Sequence, residues 1–388
     1  MRMFRADLEA VFLDRPNRFV VRVRSGGRIL HAYCPNPGRM TELLLPGVPV
    51  VLERVEDPGR RLDYTLAAVR RGGTSVPLIS VRANDLAADS IIPLLYPKAV
   101  AVRREVRWGG SRFDFLVTLS DIEVLLEVKA CTLVEEGLAL FPDAPSLRAV
   151  RHLRELAGID SAAGDGKADR ADGRSRRGAV LFVIFSPDAR SFMPNVHIDP
   201  VFASAFAECS QRFQVHAVAI QTHQDGTAIV ERLRLPVEYR MLDELAADGG
   251  VYLFALEIER GRTLKIGSLG DVHLDKGWYV YAGSARKGLS RRLARHGRRT
   301  RGKVMRWHID FLRTEALAVR AFPIRTPYDV ECRLAQDVRA ISAGAVPRFG
   351  CSDCSCPSHL FRISGDPLQD SRFVALLSRY RHRIALGR

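Results

Sequence analysis

The stretch SRFDFLVTLSDIEVLLEVKA (residues 111–130) decides how this chain is read. Two runs rich in Phe, Leu, Val and Ile flank a Ser120–Asp121 turn, which predicts two adjacent strands. The second run is almost wholly apolar, yet Glu127 and Lys129 stand inside it with one residue between them. Side chains alternate across a strand, so these two charges share a face. If the strands pair, Asp114 on the first can reach the same side. Burying charge is costly unless it is paired or bound to something, so this face predicts a site. Two carboxylates there suit Mg²⁺, or Mn²⁺, because hard cations prefer oxygen ligands. Such a cation stabilises charge building on a phosphorus oxygen, and Lys129 could position water or neutralise the phosphate. A solvent-facing ion pair on an edge strand is the alternative that these residues leave open.

Outward from this hairpin the chain extends to 388 residues, 47% of them apolar, which predicts a globular protein of two or three domains. No apolar run approaches the ~20 residues of a membrane span, so no membrane partner is expected. The opening MRMFRADLEAVFLDRPNRF is charged throughout, unlike an export signal. The seven cysteines (34, 131, 209, 332, 351, 354 and 356) are an odd, partly scattered set, which points to a reducing, cytoplasmic setting. The sequence selects no oligomeric state. The net charge of +15 is unevenly spread: residues 245–388 hold 26 Lys+Arg against 13 Asp+Glu, and residues 1–244 hold 33 against 31. Its densest part, RKGLSRRLARHGRRTRGKVMR (286–306), has ten basic residues and no acidic one. Such a block attracts a polyanion, so nucleic acid, DNA first, is the expected partner. Arg286, Lys287, Arg291 and Arg295 are its candidate contacts. A solvated basic face is the plainer alternative.

Residues 1–85 show short β-rich runs with turn punctuation, including a hairpin at Ser25–Gly27, and predict a small barrel. Residues 86–240 mix strands with helices such as PSLRAVRHLRELAG, where Leu147, Val150, Leu153 and Leu156 recur at helical steps. The segment DSAAGDGKADRADGRSRRG (160–178) reads as a flexible insertion or loop. Residues 245–388 again interleave strands with helices, among them LSRRLARH, RWHIDFLRTEAL and VECRLAQDVRAI. The fold class is therefore multidomain α+β or α/β.

The spacing D–x12–E–x–K resembles the PD-(D/E)xK nucleases. PNPGRMTELLLPGVPVVL, SRFDFLV, LLEVKACTLVEEGLALFPDAPSLRAVRHLREL and NVHIDPVF carry a more specific resemblance, to the sugar fermentation stimulation protein A (SfsA) family, over residues 1–240. It implies an OB-like nucleic-acid-binding barrel over 1–85, a PD-(D/E)xK nuclease-like α/β domain over 86–240, and DNA binding. It makes Asp114 and Glu127 the metal-binding acids and Lys129 the lysine of a Mg²⁺-dependent phosphodiester-cleaving site, with Glu105 a further upstream acid. The family name also carries an influence on sugar-utilisation genes, so the alternative expectation is a non-catalytic DNA-binding regulator. Where relatives usually carry Gln-Arg after the strand LFVIF, this chain has Phe185 and Ser186. In YCPNPGRM (33–40), Asn36 and Arg39 could meet phosphate or base edges, or the segment is a structural turn. Arg148 and His152 lie four apart on a helix face and could touch the nucleic-acid backbone or face solvent.

The last third resembles a GIY-YIG-like domain of unknown function found in prokaryotes, on GVYLFAL, DKGWYVYAGSARKGLSRRLARH, RWHIDFLR, ECRLA and FGCSDCSCPSHLF. Carried over by position, Tyr252 and Tyr281 are the motif tyrosines, Arg292 the arginine and Glu331 the metal ligand. A tyrosine near such a site serves as base or orienter, and an arginine steadies the phosphate in transit. The second motif reads YAG, and the segment TLKIGSLGDVHLDKGW separates the halves more widely than in the standard family. Tyr252 as a core aromatic and Glu331 as an ion-pair partner are the structural alternatives. Cys351, Cys354, Cys356 and His359 in CSDCSCPSH are zinc-type ligands. One short loop rarely wraps four ligands round a tetrahedral ion, so zinc is not expected there. Trp307 and His308 read as core packing or as a stacking pair for a base.

Overall fold

Period-two patterning builds the first strands. In β1 (Leu8–Asn17) and β2 (Val20–Ser25), buried Val21 and Val23 alternate with exposed Arg22 and Arg24. Gly26 and Gly27, at φ 54° and 77°, close the hairpin to β3 (Arg28–Tyr33), a turn that needs left-handed backbone at both positions. With β4 (Pro49–Arg54), β5 (Tyr64–Arg71) and β6 (Thr74–Pro77) the sheet order is β3-β2-β1-β4-β5-β6. A parallel contact at Tyr33↔Thr65 closes β3 onto β5, giving the OB-like barrel. The structure, a computed structural model, describes residues 1–57, 59–159, 174–245, 247–299 and 304–387. Most of the expected insertion (160–178) and residues 300–303 of the basic block lie outside the described residues.

After α1 (Arg82–Leu86) and α2 (Ile92–Leu95) come β7 (Ala101–Trp108), β8 (Ser111–Thr118) and β9 (Ile122–Cys131). A small sheet holds β10 (Val134–Glu135), β11 (Leu138–Phe141) and, later, β13 (Ser191–Pro194). Helix α3 (Leu147–Ala157) leads to β12 (Ser175–Ile184), and α4 (Pro200–Cys209) to β14 (Phe213–Thr222) and β15 (Ala228–Arg232). The main sheet runs β15-β14-β12-β9-β8-β7, with β9, β12 and β14 parallel. Parallel neighbours need crossovers, and α3 and α4 supply them. Sequence-local caps start both helices: Ser146 accepts from Ala149 N and Asp199 from Phe202 N. One face of β9 (Val124, Leu126, Val128) joins a core shared with the barrel, so barrel and sheet form one unit, Met1–Leu242. Glu127 and Lys129 lie on the other face.

The second unit, Asp243–Arg388, begins inside α5 (Tyr239–Leu245). Its strands are β16 (Gly250–Ile258), β17 (Arg262–Lys265), β18 (Asp271–Leu274), β19 (Gly277–Ala285), β20 (Ala316–Arg325), β21 (Gly344–Ala345) and β22 (Leu360–Ile363). They form a five-stranded antiparallel sheet, β20-β16-β19-β22-β21, and a separate β17–β18 hairpin. Alternation sends Tyr252, Phe254, Tyr279 and Tyr281 toward α6 (Leu289–Gly297) and α7 (His308–Glu315). Val251, Leu253, Val280 and Ala282 pack on the opposite side against α8 (Glu331–Ile341) and α9 (Ser371–His382). The expected helix RWHIDFLRTEAL stops at Glu315, because ALAVRAFPIR pairs along β16 as a strand. Among the described residues no helix is long and apolar enough to cross a membrane.

Candidate functional site

The β8–β9 ladder runs from Thr118↔Glu123 to Phe115↔Leu126 and ends there. One residue further, the Asp114 carboxylate takes over: Oδ2 accepts from Val128 N at 2.8 Å and Oδ1 from Asn84 Nδ2 at 2.7 Å. On β9, Glu127 Oε1 lies 2.5 Å from Lys129 Nζ and 2.5 Å from His152 Nδ1 of α3. Glu127 is 3% exposed, and its Oε2 is buried with no hydrogen-bond partner. Burial pushes Asp114 above its ordinary carboxylate value, and the Glu127 charge adds to that. Burial works the same way on Glu127, but the His152 and Lys129 interactions outweigh it and hold that carboxyl below its usual range. Asp114 opens on a shallow cleft with Asn84, Arg104, Glu105 and Phe115. Glu105, the expected upstream acid, pairs there with Arg112 at 3.3 Å. Phe185, at the position where the resemblance implied a polar residue, is core.

His152 corrects an expectation. It is 1% exposed, not on a solvated helix face, and meets Glu127. Of the expected stripe, Val150, Leu153 and Leu156 are buried and Leu147, at the helix start, is exposed, while Ala149 and His152 widen the buried face beside Leu153 and Leu156. That i, i+3, i+4, i+7 spacing is the signal for the histidine. Asn84 carries no such signal, since only the fold brings it to Asp114 from far away along the chain. Arg148 and Arg39 are exposed, while Asn36 is half-buried and caps its own turn by accepting from Gly38 N at 2.9 Å.

In the second unit Tyr252 and Tyr281 sit on one sheet face with ring centroids 6.1 Å apart, and Tyr252 Oη is 3.0 Å from His296 Nε2. Both are buried, and burial raises both phenols, Tyr252 well above the ordinary tyrosine value. Gly283 of YAG stands opposite Tyr252 in the ladder. A Cβ there would lie 2.5 Å from Tyr252 Oη and 2.9 Å from Tyr281 Cε1, so only glycine fits between the rings. Arg292 donates to Ser284 O at 2.7 Å. Glu331, at the start of α8, has both oxygens engaged: Oε2 accepts from Ser284 Oγ and Oε1 lies 3.3 Å from His359 Nδ1. Burial raises the Glu331 carboxyl, but His359, Ser284 and Arg292 outweigh it and hold it low. Ser284, Arg286, Glu331, Cys332, Cys354 and His359 line one cleft, and the two tyrosines do not. Trp307 takes Arg295 over its ring at 4.3 Å, and His308 packs on Phe349, both half-buried.

Arg295 is a second correction. It donates to both oxygens of Asp310, at 3.1 and 2.8 Å, and Asp310 is fully buried. That guanidinium is spent on the fold. Arg286, Lys287 and Arg291 are exposed and have no carboxylate partner among the described residues.

Three family models match the chain. The SfsA N-terminal OB domain covers residues 13–78, the sugar fermentation stimulation protein RE domain residues 81–226, and the domain of unknown function DUF123 residues 251–381. A sugar fermentation stimulation protein homolog of Methanothermobacter thermautotrophicus is 39% identical over 201 residues, 51% of this chain and 79% of that protein. A homolog of Moorella thermoacetica is 40% identical over 227 residues, 57% of this chain and 92% of that protein. The solved structure of Pyrococcus furiosus SfsA in complex with Ca²⁺ aligns with TM-score 0.52 and 28% identity, over 61% of this chain and 99% of that one. With a barrel, a mixed sheet and these matches in place, the chain belongs to the sugar fermentation stimulation protein family, joined to a GIY-YIG-like DUF123 domain.

Proposed function

We propose that this chain binds DNA and hydrolyses phosphodiester bonds at Asp114, Glu127 and Lys129 with the help of Mg²⁺ or Mn²⁺. One observation carries the reading: Glu127 Oε2 is buried without a partner while Oε1 is held from two sides. An unsatisfied carboxylate oxygen in the interior is costly, and a hard cation would satisfy it. The donor set fits such an ion. Each Asp114 oxygen accepts one hydrogen bond and keeps a lone pair, and both acids come from neighbouring strands. The Pyrococcus furiosus protein was solved with Ca²⁺, which shares the preference for carboxylate oxygen and so supports the same ligand chemistry.

The cation would supply positive charge against the charge developing on the phosphate oxygens. The remaining work falls to the chain. Asn84 and the Val128 amide aim the Asp114 carboxylate. His152 and Lys129 fix Glu127 by Oε1 and leave Oε2 for the ligand. Lys129 Nζ orients water whose oxygen bonds to phosphorus as the ester P–O bond breaks; the water proton leaves to solvent and the departing oxygen takes one up. In the second unit the exposed Arg286, Lys287 and Arg291 serve as an electrostatic grip on the backbone.

The test is a plasmid-nicking assay of the full chain with Mg²⁺ or Mn²⁺, with Glu127→Gln and Asp114→Asn as controls. Metal-dependent nicking by the wild type, lost in both variants while DNA binding persists, is the expected result. Sequence-selective DNA binding with no nicking in any divalent metal would instead favour the non-catalytic regulator.

A further inference from the structure

A loop as short as that between β21 and β22 rarely wraps a tetrahedral ion alone, and the fold brings it a ligand from elsewhere. Cys332 stands in the first turn of α8, well before the loop residue Cys351 in the chain. Its sulfur joins those of Cys354 and Cys356 and a ring nitrogen of His359, all four within 4.8 Å of one another. Cys351, which the sequence groups with them, is outside the set: its sulfur points at Phe349 O, 3.3 Å away.

We infer that Cys332, Cys354, Cys356 and His359 form a tetrahedral zinc site, with Glu331 as the residue that orients His359. The donor chemistry is soft, three sulfurs and one imidazole, which selects zinc over Mg²⁺ or Ca²⁺. With Zn–S near 2.3 Å and Zn–N near 2.0–2.1 Å, neighbouring ligand atoms of a tetrahedron lie about 3.5–3.8 Å apart. Cys354 Sγ already lies 3.4 Å from His359 Nε2, and the rest of the cluster needs to close by roughly 1 Å.

The histidine carries the strongest argument. His359 is 1% exposed. Its Nδ1 faces two acceptors, Ala282 O at 3.2 Å and Glu331 Oε1 at 3.3 Å. Two acceptors on one side require a proton on Nδ1, so Nε2 is the ring nitrogen turned toward the sulfurs. A carboxylate or carbonyl behind the imidazole is the usual support of a zinc-bound histidine. The backbone pins the same residue, since His359 N donates to Phe349 O at 2.8 Å and its carbonyl accepts from Ala282 N at 2.9 Å. Glu331 and Cys332 are consecutive, so one helical turn presents both a ligand and its neighbour's support. This inference is independent of the nuclease reading for the first unit. It gives Glu331 a task that needs no Mg²⁺.

The test uses the full chain, without a histidine tag, from zinc-supplemented cells. The wild type should hold about one zinc per chain by elemental analysis. Replacing zinc with Co²⁺ should give the intense visible bands of a tetrahedral cobalt thiolate site. Cys351→Ser should keep metal and spectrum, whereas Cys332→Ser should lose both. Glu331→Gln should keep the cobalt spectrum but lose zinc to a competing chelator with about 10- to 100-fold weaker affinity. A metal-free wild type that takes up no Co²⁺, or one loaded with iron, would overturn the inference. So would a Cys351→Ser variant that loses zinc. The wild-type measurements keep the test decisive even if Cys332→Ser does not fold.

Discussion

Glu127 of β9 and His152 of α3 meet with 2.5 Å between Oε1 and Nδ1, each almost fully buried. Removing the imidazole would leave the carboxylate in the interior with Lys129 alone. His152→Ala is expected to destabilise the first unit by about 2–3 kcal/mol, the usual order for depriving a buried carboxylate of a hydrogen-bond partner. Urea unfolding followed by circular dichroism measures it. A cost below about 0.5 kcal/mol, as for a surface substitution, would mean that the pair is solvated.

The glycine of YAG is required for space, not for backbone freedom. Gly283→Ala inserts a methyl between Tyr252 and Tyr281. The expected loss is about 1–3 kcal/mol in the second unit, as for other overpacked cores. A thermal melt compared with that of Gly344→Ala, whose Cβ would meet nothing within 4 Å, separates crowding from loss of glycine as such.

Basic residues of the 286–306 block divide by what they touch. Charge removal at Arg286, Lys287 or Arg291 should lower the slope of log affinity against log salt for duplex DNA by roughly 0.9 for each phosphate no longer neutralised, with stability little changed. Arg295→Gln should do the reverse, costing about 1–3 kcal/mol by removing the guanidinium from buried Asp310, which keeps its bonds from the Arg306 and Trp307 amides, and leaving the slope nearly intact. Salt titrations by fluorescence anisotropy beside thermal melts read both effects.

His216 of β14 lies within 2.9 Å of Tyr96 Oη, and burial, with Arg234 adding, lowers it from 6.5 to about 4. The folded chain therefore keeps this imidazole neutral where the unfolded chain would protonate it. Its contribution to stability is complete above about pH 6.5 and is lost as pH falls toward 4, by at most about 3 kcal/mol. His216→Gln should flatten that part of the acid limb, leaving the carboxylate-driven loss at lower pH. Melting temperatures of both proteins across pH 4–7 decide it; parallel curves would count against the half-buried neutral ring.

Much of the first constellation is legible in the sequence because its geometry is local. Alternation along one strand puts Glu127 and Lys129 on a common face whatever the rest of the chain does. The barrel hairpin at Gly26–Gly27 and the caps at Ser146 and Asp199 are equally local, each set within four residues. Helix α7 is shorter than its sequence suggests because Ala and Leu favour helix in isolation, and pairing of Ala316–Arg325 with β16 overrides that preference.

Tertiary structure alone decided the partners. Which imidazole reaches Glu127, which carboxylate occupies Arg295 and which cysteine completes the Cys354, Cys356 and His359 set all depend on helices packed from elsewhere in the chain. Periodicity names the face a side chain presents, but not the side chain that waits opposite. That is settled by how layers stack to bury apolar surface, a condition summed over the whole core and written in no short stretch of residues.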